Sequence, residues 1–280
     1  MAGVDEDAAR GPAAGADNGA ARRGRPALAD SAGLPVVPGP GWPGVACFCT
    51  TRAGGVGAAP YDTLNLGLKA GDDPATVAEN RRRLRAGLPG DPFWLAQVHG
   101  SRVLDADADL PGGQADAAVT ARAGRVLAIM TADCLPVVLS DLDGRVLGAA
   151  HAGWRGLAGG VLENTLDELR RRHPRARGWR AWVGPGIGPE AFEVGEDVRE
   201  AFAPGGPQAL AAFAPRPQAR GKWLADLPAL AELRLRRAGV EQVSLSRLCT
   251  VQHRELFFSY RRDGRTGRMA TLAWLLVYPD

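Results

Sequence analysis

Two apolar runs joined by a short polar segment constrain the fold of this chain more than any other feature. Residues 135–139 read Leu-Pro-Val-Val-Leu, residues 145–150 read Arg-Val-Leu-Gly-Ala-Ala, and residues 140–144 between them read Ser-Asp-Leu-Asp-Gly. Serine, aspartate and glycine are favoured in tight turns, so the pattern predicts an antiparallel hairpin. A sheet that contains this hairpin cannot be purely parallel.

Strands and helices alternate along most of the chain. Short apolar runs predict further strands, and apolar residues at intervals of three or four positions predict helices. The predicted strands are 45–51, 93–98, 117–120, 126–130, 179–183, 243–248, 257–260 and 269–277, and the predicted helices are 74–87, 156–172, 196–202 and 224–237. The alternation favours an α/β fold, a layered sandwich of mixed β-sheets flanked by helices.

The N-terminal segment has a different composition from the rest of the chain. Residues 1–33 are rich in Ala, Gly, Asp and Arg and contain no aromatic residue. Such a segment buries too little apolar surface to offset the entropy lost on ordering, which predicts a disordered N-terminal tail. No low-complexity linker interrupts the sequence after this point, so we expect one continuous domain over residues 34–280.

Charge and cysteine content narrow the functional classes. The 34 basic and 31 acidic residues leave a net charge of +3, which gives no electrostatic reason to expect nucleic acid or a membrane as a partner. Four cysteines without paired spacing indicate reduced thiols, and no apolar run has the length of a signal peptide or a membrane span. We therefore expect a cytoplasmic protein that acts on a small-molecule substrate. Its oligomeric state does not follow from the sequence.

The hairpin brings two candidate metal ligands together. If Ser140 pairs with Arg145, Cys134 lies opposite His151, and directly opposed residues have Cβ atoms about 4.5–5.5 Å apart. A thiolate and an imidazole at that separation can share one cation, which lies about 2.3 Å from sulfur and about 2.0 Å from nitrogen. A tighter turn would shift the register and place Gly153 opposite Cys134 instead.

A catalytic metal centre needs a third protein ligand and an open fourth position. His99 is the best candidate because it ends the predicted strand 93–98, whereas His173 ends a helix, where the helix dipole alone explains a histidine. His253 lies in a loop and is the weaker alternative. The same residues could instead form a nucleophile pair, with Cys134 attacking and His151 or His99 acting as base.

Five further residues are candidates for catalysis or substrate binding. Arg155 stands in a glycine-rich turn that leads into a helix, where free N–H groups attract anions. Arg52, at the end of the first long strand, and Arg261, after the aromatic segment 257–260, are candidate phosphate ligands. Asp133 precedes Cys134 and could orient a ligand or transfer protons. Asn65 could bind substrate or only satisfy backbone groups.

Several motifs together resemble the laccase-domain, or YfiH-like, family over about residues 45–275. They are Thr50-Thr51-Arg52, Gln97-Val98-His99-Gly100, Thr131-Ala132-Asp133-Cys134-Leu135-Pro136, His151-Ala152-Gly153-Trp154-Arg155-Gly156 and Phe258-Ser259-Tyr260-Arg261-Arg262. The resemblance implies an α/β sandwich and Zn²⁺ bound by His99, Cys134 and His151. It also implies phosphorolysis of adenosine, inosine, guanosine and methylthioadenosine, deamination of adenosine, copper-dependent oxidation of phenols, or a role in peptidoglycan editing.

These residues suggest a mechanism for each purine reaction. In deamination, metal-bound hydroxide would attack the purine carbon that bears the amine while Asp133 moves protons. In phosphorolysis, Arg52 would hold phosphate against the anomeric carbon of the ribose. The alternatives are a polyphenol oxidase with Cu²⁺ in the same site, a Cys–His hydrolase, and a binding protein whose structural zinc has four protein ligands.

Overall fold

The hairpin forms the centre of a six-stranded sheet in the computed structural model, which describes residues 28–277. Strand β8 (Leu135–Asp141) pairs antiparallel with β9 (Leu147–Ala152), and every residue of both strands is buried. Pro136 faces His151, so the register continues with Gly153 opposite Cys134. The predicted pairing of Cys134 with His151 is therefore wrong, and the tighter-turn alternative is correct.

The carboxylate of Asp141 explains this register. Its Oδ1 accepts hydrogen bonds from the N–H groups of Arg145 and Val146, at 2.7 and 2.9 Å, and its Oδ2 accepts one from Asp143. Three backbone donors drawn to one buried side chain close the loop more tightly than a Ser140–Arg145 pair would.

Fifteen strands in the described residues form three sheets. The first sheet has, in spatial order, β1 (Ala29–Ser31), β2 (Leu34–Pro38), β3 (Val45–Thr50), β15 (Met269–Leu275), β7 (Val126–Thr131) and β4 (Pro92–Phe93). The second has β14 (Gln242–Leu245), β10 (Trp179–Val183), β8, β9, β6 (Ala117–Thr120) and β5 (Val103–Asp105). The third has β11 (Glu193–Gly195), β13 (Lys222–Ala225) and β12 (Phe213–Pro215).

Seven α-helices of the described residues flank these sheets. They are α1 (Pro74–Arg85), α2 (Trp154–Ala158), α3 (Val161–Arg172), α4 (Glu196–Phe202), α5 (Gly206–Leu210), α6 (Leu227–Arg237) and α7 (Tyr260–Asp263). Asp73 caps α1, because its carboxylate accepts hydrogen bonds from the N–H groups of Ala75 and Thr76. None of the helices between residues 28 and 277 combines the length and the apolar character that crossing a bilayer requires.

The two large sheets pack face to face with helices outside them. Successive side chains of β8 point to opposite faces of its sheet. Val138 belongs to the apolar cluster between the sheets, whereas Val137 and Leu139 belong to the cluster that includes α3 and α6. A third cluster includes Leu84 of α1 and covers the outer face of the first sheet. Both large sheets also contain parallel pairs, β4 with β7 and β10 with β14. The predicted α/β sandwich with mixed sheets in a single domain is confirmed.

The chain becomes ordered earlier than the predicted boundary at residue 33. Strand β1 pairs with β2 through a two-residue turn in which Ala32 and Gly33 have φ of 51° and 82°. Positive φ at both positions suits a tight hairpin, but Ala-Gly is not the usual sequence for it, which is why the pattern gave no signal. The predicted disorder is wrong for Ala29–Ser31, and the rest of the prediction, residues 1–27, lies outside the described residues.

Several predicted elements differ from the structure. The helix predicted over 224–237 begins at Leu227, because Leu224 and Ala225 belong to β13. The strand 93–98 is limited to β4 (Pro92–Phe93). The helix 156–172 is divided into α2 and α3 at Gly160, whose φ of 89° is incompatible with a helix. The aromatic segment 257–260 forms no strand, because Ser259 caps α7 by accepting a hydrogen bond from the N–H of Arg262.

Candidate metal centre

Three predicted ligands converge where the chain passes between the two large sheets. His99 follows β4, Cys134 lies in the turn that joins β7 to β8, and His151 is part of β9. Their ligand atoms all lie within 4.8 Å of one another, and the two imidazole rings are 4.8 Å apart at an interplanar angle of 73°. His151 is buried and His99 is exposed, so the cluster has one open side.

Two residues of this region adopt a left-handed backbone conformation. Asp133 has φ of 95° and His99 has φ of 62°, which is uncommon for residues other than glycine. Hydrogen bonds hold both: the carbonyl of Asp133 accepts from the N–H of Ile187 at 2.7 Å, and the N–H of His99 donates to Asp116 at 2.9 Å. The surrounding fold therefore stabilises the turns that aim the ligands.

Asp116 is the residue of the centre that the sequence did not reveal. Its buried carboxylate accepts from the N–H groups of Val98, His99 and Gly100 and lies 2.8 Å from Nδ1 of His151. An imidazole held at Nδ1 by a carboxylate presents Nε2 to a metal. Because Asp116 stands alone just before β6, its sequence shows no motif; only the tertiary fold brings these four donors to it.

The charges of the centre favour the ligating form of the cysteine. Burial raises the pKa of Cys134, but the charge and hydrogen bond of His151 and the hydrogen bond of His99 lower it to about 6. Burial lowers the pKa of His151, but the charge of Cys134 and the hydrogen bond with Asp116 raise it to about 9. Burial also opposes the ionised form of Asp116, yet hydrogen bonds hold its pKa below the usual value. A thiolate is the form of cysteine that binds metal.

The donor set fits a transition-metal ion. Two imidazoles and one thiolate with an open side match the three-ligand pattern of catalytic Zn²⁺ sites, and Cu²⁺ accepts the same donors. Gly153 leaves room for this arrangement, because a Cβ there would lie 2.9 Å from Sγ of Cys134 and 3.0 Å from Cδ2 of His99. Gly153, one of the two glycines in the motif of residues 151–156, therefore has a steric role at the centre.

Asp133 lies beside the centre in a fixed orientation. Its Oδ1 accepts from the hydroxyl of Thr250 and its Oδ2 accepts from the N–H of Arg261, both at 2.6 Å. The guanidinium of Arg261 makes other contacts: its Nη1 donates to the carbonyl of Glu193, and its Cζ lies 5.2 Å from the ring centroid of Phe192. The contribution of Arg261 to the centre in this structure is thus made by its backbone.

Arg52 and Arg155 differ in how much of the guanidinium is available. Arg52 donates from Nε to the carbonyl of Asp62, from Nη1 to the carbonyl of Arg254 and from Nη2 to the carboxylate of Asp62. Arg155 is exposed, and its Cζ lies 4.3 Å from the ring centroid of Trp154. The structure therefore gives Arg52 a role in holding its own loop, which weakens the case for it as a phosphate ligand.

The carboxamide of Asn65 is fully used inside the protein. Its Oδ1 accepts from the N–H groups of Gly67 and Arg268, its Nδ2 donates to the carboxylate of Asp72, and the residue is 0% exposed. This arrangement favours the alternative that Asn65 satisfies backbone groups. Its partner Arg268 was not among the predicted site residues, although electrostatic interactions link it to Cys134.

A second cluster of potential ligands lies at the hairpin turn. It contains Asp141, Asp143 and His173. Asp141 orders the turn, and Asp143 forms an ion pair with Arg177. These contacts explain the carboxylates without a metal, and His173 ends α3 as expected.

Known proteins resemble this chain over most of its length. Purine nucleoside phosphorylase YfiH from Escherichia coli K12 is 49% identical over 243 residues, which cover 85% of this chain and 98% of the relative. A purine nucleoside phosphorylase from Xylella fastidiosa Temecula1 is 51% identical over 248 residues, which cover 83% of this chain and 93% of the relative.

Two solved structures are similar to this chain, and one family model matches most of its length. Neisseria meningitidis protein NMB0706 superposes with a TM-score of 0.79 at 46% identity and covers 86% of this chain and 98% of its own. YlmD from Geobacillus stearothermophilus gives 0.78 at 32% identity, covering 85% of this chain and 94% of its own. The family model described as multi-copper polyphenol oxidoreductase laccase matches residues 46–276. The chain therefore belongs to this laccase-domain family.

Proposed function

We propose that the protein is a zinc-dependent purine nucleoside phosphorylase that acts in the cytoplasm on adenosine, inosine, guanosine and methylthioadenosine. The observation that carries this proposal is the convergence of His99, Cys134 and His151 into a three-ligand cluster with an exposed side. The names of the relatives, which are 49% and 51% identical to this chain, support the choice of reaction.

The residues around the cluster suit a nucleoside. Bound Zn²⁺ would supply Lewis-acid polarisation of an oxygen or nitrogen of the substrate. Asp133 offers a carboxylate of fixed orientation that can accept and return a proton. In the reaction a phosphate oxygen bonds to the anomeric carbon, the bond from that carbon to the purine nitrogen breaks, and the base leaves with a proton.

Adenosine deamination is a second proposed activity of the same centre. Water would attack the purine carbon that bears the amine rather than the anomeric carbon, and the amine would leave as ammonia. Asp133, whose carboxylate has a fixed orientation, is the candidate for moving the protons. Phenol oxidation ranks below both purine reactions. Between residues 28 and 277 a single cluster combines histidine and cysteine ligands, and one mononuclear centre is poorly suited to reducing O₂ by four electrons.

A product analysis tests the proposed function. Protein of known metal content is incubated with adenosine, with and without inorganic phosphate, and adenine, inosine and hypoxanthine are resolved chromatographically. We expect adenine and ribose 1-phosphate only when phosphate is present, with inosine in both mixtures if deamination also occurs. Metal-loaded protein that releases no purine base in phosphate would contradict the proposal. Activity that survives complete chelation but not thiol alkylation would favour the Cys–His hydrolase.

Tyr260 is expected to contact the purine base. It is 62% exposed, it precedes the residue whose N–H binds Asp133, and electrostatic interactions link it to Arg268. Val98, next to His99, is 53% exposed and adds apolar surface. Stacking of a base on an aromatic ring contributes about 1–3 kcal/mol, so Tyr260→Ala should raise the nucleoside KM by about tenfold or more.

The matched variant Tyr260→Phe keeps the ring and should leave the nucleoside KM nearly unchanged. Both KM values are measured at saturating phosphate, together with the metal content of each variant. An unchanged nucleoside KM in Tyr260→Ala would place the base elsewhere.

A further inference from the structure

We infer that Arg268 forms an oxyanion subsite beside the metal centre and that its ligand is inorganic phosphate. This inference rests on the proposed function, because phosphorolysis requires a residue that holds phosphate near the metal ligands. It assigns to Arg268 a role that the sequence analysis gave to Arg52.

The guanidinium of Arg268 has free donors. Its Nη1 donates to the carbonyls of Thr266 and Gly267, both at 2.9 Å, whereas its Nε and Nη2 donate to no described residue. Neither atom is among the buried polar atoms that lack a partner, so solvent reaches both. Nε and Nη2 lie on one edge of the planar group, the arrangement that binds two oxygens of a phosphate.

The charge of Arg268 has no fixed counterion. Within residues 28–277, no carboxylate lies close enough to form an ion pair with it, although most arginines of comparable burial are paired. The side chain is half-buried, and burial lowers its pKa, which Cys134 and Asp133 oppose from a longer distance. A partly desolvated cation without a partner gains more from a bound anion than an exposed one does.

The surrounding loop holds the arginine in place. Asn65 accepts from the N–H of Arg268, and the carbonyl of Arg268 accepts from the N–H of Leu66. Gly67 makes room for the side chain, since a Cβ at that position would lie 2.7 Å from Cγ of Arg268. The Leu64–Gly67 segment therefore acts on the subsite by positioning Arg268, and Asn65 is a positioning residue.

The other candidate arginines fit phosphate less well. All three groups of the Arg52 guanidinium already donate inside the protein. Arg261 donates to Glu193, and Arg155 lies over the ring of its neighbour Trp154. Among these four arginines, Arg268 alone combines partial burial, free donors and electrostatic interaction with a metal ligand.

The test compares Arg268→Ala and Arg268→Lys with the wild-type protein. We expect Arg268→Ala to raise the phosphate KM by about 10- to 100-fold, the effect of losing a charge-assisted hydrogen-bonded pair. The nucleoside KM and the metal content should stay close to wild type. Arg268→Lys keeps the charge but loses the bidentate geometry, so its phosphate KM should lie between the values of the wild type and of Arg268→Ala. Arg265→Ala removes the same charge from the same loop and is the matched control.

Direct binding separates this inference from the proposed function. Inorganic phosphate is titrated into each protein without nucleoside and followed by calorimetry or ³¹P NMR, and we expect Arg268→Ala to weaken binding at least about tenfold. If purine release never depends on phosphate, the proposed function fails, yet this titration still tests Arg268. A phosphate affinity equal in wild type and Arg268→Ala, or absent in wild type, would overturn the inference. Arg268→Lys answers the same question if the alanine variant does not fold.

Discussion

Replacement of Cys134 by alanine is expected to remove the bound metal and to lower kcat/KM for phosphorolysis by more than about 100-fold. The loss of an outer hydrogen-bond partner of a metal ligand already costs about 10- to 100-fold, and Cys134 is itself one of three converging ligands. Its thiolate is also the only anionic donor of the cluster, so two neutral imidazoles would remain to hold a divalent cation. Metal per chain, measured by elemental analysis after dialysis, and kcat/KM provide the two readouts.

Cys249→Ala is the matched control for this experiment. Cys249 is also a free cysteine in a loop and is more buried than Cys134, but its sulfur accepts a hydrogen bond from the N–H of Gly188 and belongs to no ligand cluster in the described chain. The Cys249→Ala variant should keep its bound metal and most of its activity. If Cys134→Ala retained one tightly bound ion per chain, the proposed centre would be wrong. If it lost activity while chelation of the wild type had no effect, Cys134 would act as a nucleophile instead.

Local sequence patterns were sufficient for most of the fold. Strand β10 (Trp179–Val183) and helix α4 (Glu196–Phe202) have the predicted bounds, because apolar periodicity and chain breakers act within a few residues. The register of β8 with β9 could not be predicted from such local patterns. It depends on which backbone groups the buried carboxylate of Asp141 binds, and that choice is made only when the turn closes.

The residues of the candidate site also fall into those that local patterns and motifs predict and those that only the folded structure reveals. The three ligands follow from residue type and from the family motifs, and they converge although the predicted register was wrong, because Cys134 lies beyond the end of β8. Asp116 and Arg268 were missed because neither belongs to a spacing pattern of ligands. Arg52 is a residue type that suits phosphate, but a sequence does not show that its donors are already used.

Asp116→Asn is expected to damage stability and metal binding together. The carboxylate is 0% exposed and receives three backbone N–H groups as well as the ring of His151. Each oxygen of Asp116 accepts from two of these donors. In asparagine one oxygen becomes an N–H₂ group, which cannot accept, so the two hydrogen bonds at that position are lost and donor faces donor. We expect the free energy of unfolding of the metal-free protein to fall by about 3 kcal/mol. Metal affinity should weaken by about 10- to 100-fold.

The two readouts separate a structural role of Asp116 from a positioning role. Denaturant unfolding of chelated protein reports the loss of all hydrogen bonds to Asp116, those from the segment 98–100 and that from His151, whereas competition with a metal indicator reports whether His151 still presents Nε2 to the metal. Asp143→Asn is the control, because that carboxylate pairs with Arg177, which is largely exposed, and such pairs contribute little. Wild-type metal affinity in Asp116→Asn would mean that the fold aims His151 without this carboxylate, since the strand β9 would then hold the imidazole by packing alone.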